Sequence, residues 1–329
     1  MKILKSTLIV PCNSNVRNFN FFLENIFTWD SLPKEIIFIN TNKKKIIIDK
    51  YYKKLFKKKK IIIRILDQPN LFPGAARNIG IRYSSNEIIS FLDIGTHASK
   101  EWLKTGYELI RNKNYLISWG NTFYLATSYK DKIIRASTYG QIPIQTLPGS
   151  TMKRELFKIV GVFLKDVRAG EDAEWMYRVR LHKITSCKND KIIFYQHLLG
   201  MSYSSIIKKW FRNYSFSRRL SYLSNNKESY YISFSIILIL IAFNWNPIMT
   251  DWGNEGYEEN LTYIPHVTKI TILLIFLSYF ILRGIYIPIK KKVSSRFLFP
   301  IAIFKIVTLS FFIDLTKLIS FIYSRFRIK

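Results

Sequence analysis

Gly74-Ala-Ala-Arg-Asn-Ile-Gly80 leads into Ile88-Ile-Ser-Phe-Leu-Asp93, and this pair of segments decides the fold. The first begins after Pro73 and keeps a helical period to Ser84; the second is a short apolar run that stops at an acid. A helix feeding a buried strand is half of a βαβ unit. Toward the N-terminus the same alternation repeats. Leu4–Val10 is a β-branched run closed by Pro11, and Phe19–Trp29 spaces Phe22, Leu23, Ile26 and Phe27 as a helix does. Glu35–Ile39 reads as a second strand, Ile46–Phe56 as a helix and Ile61–Leu66 as a third strand, while Trp102–Ile110 continues as a helix beyond Asp93. This alternation predicts an α/β fold with a parallel sheet covered by helices on both faces.

In such a sheet ligands lie at the carboxyl ends of the strands, where the strand order reverses. The segments to read are therefore Pro11–Asn13, Asn40–Asn42, Asp67–Asn70 and Asp93–Thr96, all polar or turn-forming. Farther on, Tyr115–Trp119 and Ile133–Ala136 read as strands and Gly170–Arg180 as a helix. Lys191–Phe194 reads as a strand leading to His197.

Charge divides the chain. Of the net charge of +29, +23 lies up to Glu228 and +6 from Ser229 onward. A mean hydropathy of +0.04 thus averages a basic soluble domain, residues 1–222, and an apolar region, residues 223–329. The lysines of Lys43–Lys60 alternate with Ile and Tyr in no recognisable nucleic-acid module, so no nucleic-acid partner is expected. They read as a solvated helix face or as attraction to anionic headgroups. Cys12 and Cys187 are the two cysteines, with no metal-ligand spacing, which excludes a disulfide framework and suits a reducing compartment.

Ser229–Met249 carries no charge and is flanked by Tyr230, Tyr231 and Trp245; such a length spans a bilayer core. Ile270–Ile289 is a second span, interrupted by Arg283. Helices are expected near 230–249, 268–289 and 297–323. The loop with Asp251, Glu255, Glu258 and Glu259 is acidic, and Lys290, Lys291, Lys292 and Arg296 follow the second run. The positive-inside rule puts those lysines and the soluble domain on the cytoplasmic side of the inner membrane. The third run contains Lys305, Asp314 and Lys317, and a span there would export Arg325, Arg327 and Lys329. A helix in the interface, or one that re-enters, is favoured over a third span.

Three stretches turn the fold into an activity: Leu8-Ile-Val-Pro-Cys-Asn13 with Glu35-Ile-Ile-Phe-Ile-Asn40, the Gly74–Asp93 pair, and Gly170-Glu-Asp-Ala-Glu-Trp175. In this order and spacing, over roughly Lys5–Tyr222, the chain resembles the family 2 glycosyltransferases of GT-A fold. The resemblance implies transfer of a sugar, with inversion, from a nucleotide-sugar donor to an acceptor hydroxyl. The acceptor it implies is lipid-linked or a glycan near the membrane, as in cell-envelope polysaccharide assembly.

The resemblance then assigns residues. Asp172 matches the aspartate of the family's Glu-Asp pair and is the expected general base, with Glu171 orienting it or binding acceptor. A helix N-terminus favours the ionised form that a base requires. Read without the resemblance, Glu171, Asp172 and Glu174 are ordinary first-turn acids, with Glu174 paired to Arg178. Asp93 matches the first acid of the family's Asp-x-Asp element, but Gly95 replaces the second, so Mg²⁺ or Mn²⁺ would rest on Asp93 and His197. His97, beside that element, is a weaker candidate. Pro11, Asn13, Asn40, Arg77 and Asn78 complete the expected donor site; for Arg77 and Asn78 the alternative is helix packing with a surface ion pair. Asn40 stands where relatives carry an acid, which leaves the base open. A basic-aromatic segment, Lys208–Arg219, is expected to lie on headgroups near the acceptor. The departures at Gly95 and Asn40 also admit a relative that binds nucleotide or glycan without catalysis.

Overall fold

A computed structural model describes residues 2–13, 16–113, 115–188, 193–198, 201–216, 220, 227–253 and 266–326. The expectations for Lys191, Arg218, Arg219, Glu255, Glu258, Glu259, Arg327 and Lys329, and for the side chains of Asp251, His197 and Arg325, fall outside these residues. Two compact units form. The first comprises Met1–Thr127, Ile142–Leu199 and Phe216–Tyr222; the second comprises Ser128–Gln141, Gly200–Ser215 and Leu223–Lys329.

The first unit begins β1 (Lys2–Cys12), α1 (Val16–Phe27), β2 (Ser31–Asn40), α2 (Lys50–Lys58), β3 (Ile62–Asp67), α3 (Pro73–Tyr83) and β4 (Ile88–Phe91). It continues through β5 (Thr96–His97), α4 (Trp102–Asn112) and β6 (Ile117–Leu125). Within the second unit, α5 (Tyr129–Ser137) follows before the chain returns to the first through β7 (Ile144–Lys153), α6 (Leu156–Ile159), α7 (Glu171–Leu181), β8 (Ser186–Lys188) and β9 (Phe194–His197). The sheet order is β3-β2-β1-β4-β7-β6-β9-β5, with β8 added beside β6.

The β3-β2-β1-β4 half is parallel, as expected. Period-two alternation feeds two cores. Leu8, Val10, Ile36 and Phe38 face one, with Phe22, Ile26, Trp29 and Trp102 from the helices; Ile9, Ile37, Ile39 and Phe91 face the other, with Ala76 and Trp175.

The other half corrects the expectation of a parallel sheet. β7 runs antiparallel to both β4 and β6, and β5 antiparallel to β9. Pro148-Gly149 inside β7 disguised that strand as a turn. Ile133–Ala136, read as a strand from its β-branched pair, lies in α5 instead. The Ser128 hydroxyl accepts from the Asp131 N–H, and the Asp131 carboxylate accepts from the Ser128 N–H. That reciprocal cap overrides local β propensity. Likewise α2 starts only at Lys50, because Asp49 caps it through the Tyr51 N–H, which leaves Ile46–Ile48 outside the helix.

The rest of the second unit is helical: α8 (Tyr203–Tyr214), α9 (Lys227–Gly253), α10 (Val267–Phe280), a π-helical turn at Ile281–Tyr286, α11 (Ile287–Lys290), α12 (Ser295–Leu298) and α13 (Ala302–Phe326). The expected 230–249 helix is part of α9, which runs through Pro247. Among the described residues, Val267–Lys290 is the one helix long and apolar enough to cross a membrane, with mean hydropathy 2.2. The third apolar run is a single continuous helix, α13, of 25 residues.

Candidate active site

Strand order reverses between β1 and β4, which sets the expected ligand crevice where Cys12-Asn13 and Leu92-Asp93 end their strands. Main-chain bonds stitch the loops there. The Thr41 N–H donates to Cys12 O, the Gln68 N–H to Asn40 O and the Leu92 N–H to Ile9 O. Burial and the nearby Asp93 push the Cys12 thiol up, so it is a packing group rather than a nucleophile.

Arg77, on α3, is buried at this edge. Its Nη1 donates to Glu171 Oε1 at 2.5 Å and its Nη2 meets Asp93 Oδ1 at 3.3 Å. Two acids 78 positions apart in sequence are thus held by one guanidinium. Gly74 makes the approach possible. A Cβ there would sit 2.1 Å from Leu164 O and 3.1 Å from Glu171 Cγ, so no other residue lets α7 and its leading loop close on α3. The same loop is clipped twice more. Asn78 Nδ2 donates to Phe163 O and Asn78 Oδ1 accepts from Phe163 N–H; Arg178 donates to Val160 O and Val162 O while pairing with Glu174 at 2.8 Å.

The electrostatics follow from burial. Desolvation draws the Arg77 guanidinium down, but Asp93, Glu171 and Asp172 outweigh it and hold it above its ordinary value. Burial raises the Glu171 carboxyl against the pull of Arg77, with Asp172 adding to the rise. Burial likewise raises Asp93, which Arg77 opposes and Asp172 reinforces. Asp93 keeps 45% of its side-chain surface accessible, so its loss of hydration is partial. Asp172, next to Glu171 on α7, contributes its charge to the field at both Arg77 and Asp93. Asp172 is half-buried on the first turn of α7, and its Oδ1 accepts from the Ala173 N–H at 2.8 Å. Among the described residues it enters no ion pair.

The other expected site residues spread along the same strand ends. Pro11 and Asn13 close β1, the former half-buried and the latter exposed. Asn40 is buried, and its Nδ2 donates to Asp67 Oδ1 at 2.7 Å and to Lys44 O at 3.0 Å. It thereby ties the end of β2 to the end of β3, a role sequence reading missed. His97 lies within 3.3 Å of Asn25 Nδ2 on α1, away from the Arg77 cluster by its contacts. The β5–β9 register pairs Thr96 with Gln196, and His197 ends β9 opposite Leu125 of β6.

A divalent cation finds few ligands here. Gly95 offers none, Asp93 is engaged by Arg77, and among the described residues no group of three His, Cys, Asp or Glu is arranged to hold a metal. Among the described residues Asp93 is therefore the one expected ligand, and a cation there would need the diphosphate of the donor as well.

Residues 7–163 match the family model described as glycosyl transferase family 2. No curated protein sequence matches the chain. Among solved structures, a mannosyltransferase, PcManGT from Pyrobaculum calidifontis in complex with GDP-Man and Mn²⁺, is 12% identical with a TM-score of 0.52, over 97% of this chain and 87% of that one. S. aureus TarS 1–349 in complex with UDP is 15% identical with a TM-score of 0.43, over 64% of this chain and 64% of that one. The present chain therefore spans just under two thirds of that relative's length. The fold is thus of the GT-A type, and residues 7–163, which bear Arg77 and Asp93, are similar to glycosyl transferase family 2.

Proposed function

We propose that the protein transfers a sugar, with inversion at the anomeric carbon, from a nucleotide-sugar donor to a hydroxyl of a lipid-linked or glycan acceptor close to a membrane surface. One observation carries this reading: of the three acids around Arg77, Asp172 alone keeps its carboxylate out of an ion pair. Asp172 takes the proton as the acceptor oxygen attacks the anomeric carbon. The bond from that carbon to the diphosphate oxygen breaks, and its electron pair leaves with the diphosphate. Arg77 fixes Glu171 and Asp93 on either side, and helix α7 holds the Asp172 charge at its positive end. Asp93, Pro11 and Asn13 contact the donor, while Asn40 and Asn78 hold the loops that shape its site.

The test is transfer from UDP-, GDP- and dTDP-sugars to membrane-extracted lipid acceptor by the wild type and by Asp172→Asn. Turnover should fall by about 10³-fold, within the range for loss of a general base, while the melting temperature stays unchanged. Undiminished transfer would overturn the assignment.

A further inference from the structure

In the second unit the polar and apolar faces are partly reversed. On α13, Ser310, Asp314, Lys317, Ser320 and Ser324 are buried among Ile303, Ile306 and Ile313, while Phe304, Phe311, Phe312, Ile319 and Ile322 are each 46–61% exposed. Val267–Lys290 shows the same reversal: Leu273, Leu274 and Phe276 are exposed and Arg283 is buried. The inward charges answer one another. Asp314 meets Arg283 Nε at 2.9 Å, accepts from Lys317 Nζ at 3.2 Å and accepts from the Tyr279 hydroxyl at 2.9 Å. Lys317 also lies 4.8 Å from the ring centre of Trp210 on α8. Gly284, in the π-helical turn that bears Arg283, leaves room for α13; a Cβ there would meet Val307 Cγ2 at 2.8 Å.

In water the cost of exposing such apolar faces would turn them inward and the charges out. A hydrocarbon solvent rewards the opposite arrangement, with ionisable groups facing the helix bundle and paired there, and with small residues where helices approach closely. We infer that α13 lies within the bilayer beside Val267–Lys290, with lipid acyl chains against Phe304, Phe311, Phe312, Ile319 and Ile322. The helix is long enough, since 25 residues rise about 37 Å against a core of about 30 Å. Lys305 sits within the first turn and reaches the ring of Tyr129 on α5 at 5.0 Å, so its charge is not stranded at mid-depth. Exposed Lys290, Lys292 and Arg296 match anionic headgroups, which selects lipid over a second copy of this basic chain as the occupant.

The proposal extends the membrane-proximal reading above but does not depend on sugar transfer. The test uses the full chain with Cys12→Ser and Cys187→Ser, in nanodiscs containing anionic lipid. Nitroxide labels at Phe311→Cys, Phe312→Cys and Ile319→Cys are compared with one at Tyr51→Cys on α2. Accessibility to a water-soluble nickel chelate should be about tenfold lower at the three α13 sites than at Tyr51, because polar solutes are excluded from the hydrocarbon core, while accessibility to oxygen stays high. Chelate accessibility equal to that at Tyr51, or a uniform headgroup depth at all three sites, would overturn the proposal. So would low accessibility to both quenchers, the mark of a face covered by a second copy.

Discussion

Arg77 and Arg283 are both buried, both paired with carboxylates, and they lead to opposite outcomes. In the first unit, Arg77 spans Glu171 and Asp93 at the mouth of a crevice, and a third acid, Asp172, stands beside them without an ion pair of its own. In the second unit, Arg283 and Lys317 close on the single carboxylate of Asp314, with Tyr279 completing the ring. One arrangement leaves a carboxylate available for chemistry; the other leaves none and serves as a lock between helices. Buried ion pairs therefore do not by themselves mark a site. What distinguishes the proposed catalytic cluster is an acid in excess of the cations that hold it.

The comparison can be broken from either side. Arg77→Ala should be the most damaging change, because it strands the Glu171 carboxylate in a buried place. A loss of about 3–5 kcal/mol is expected for a broken buried pair, together with loss of transfer; chemical denaturation with a tryptophan readout measures the first. Asp314→Leu should cost a similar or somewhat smaller amount, about 3 kcal/mol, read as a lower melting temperature in detergent. Because its cluster does no chemistry, the donor affinity of the folded fraction should stay unchanged. A variant that melts normally would show that the lock carries no weight.

Gly95→Asp should have a gentler effect and the opposite sign. Open space surrounds Gly95, so the side chain is tolerated, and the new acid adds a second carboxylate two residues after Asp93. Mn²⁺ should then bind about tenfold more tightly, near 1.4 kcal/mol, by calorimetry; an unchanged affinity would mean that position 95 does not face the donor. Glu35→Gln should be the smallest. Burial acts to raise the Glu35 carboxyl, but bonds from Ser85 and Thr7 and the charge of Arg64 win, and leave it below its ordinary 4.5. A depressed carboxyl stabilises the fold above its unfolded value and loses that contribution as pH falls through the folded one. Unfolding of the first unit by acid should consequently be less steep below about pH 4.5 in the variant, and an identical profile would contradict this.

The first half of the sheet was legible because β1, β2, β3 and β4 announce themselves twice, as apolar runs and as partners of alternating helices. The acids were legible because Asp93 and Glu171-Asp172 sit at a strand end and a helix start, where polar residues have few structural duties. The clips were not. Nothing in the sequence near Asn78 or Arg178 says that their partners are main-chain carbonyls of Val160–Phe163, nor that the Asn40 amide spans β2 and β3. β7 hid behind Pro148-Gly149, and α5 behind Ile133-Ile134. In the second unit the sequence shows the charge of Asp314 but not the Arg283 that answers it across the fold.

Two amide substitutions at the crevice bear most directly on the division of labour between Asp93 and Asp172. Calorimetry with nucleotide sugar and single-turnover transfer should be run on Asp93→Asn and Asp172→Asn in parallel. The expected pattern is donor affinity weakened about tenfold by the first, about 1.4 kcal/mol, and left intact by the second, whose transfer step alone collapses. If Asp172→Asn binds donor and still transfers sugar at the wild-type rate, the carboxylate that Arg77 leaves unpaired is not the base, and the account fails.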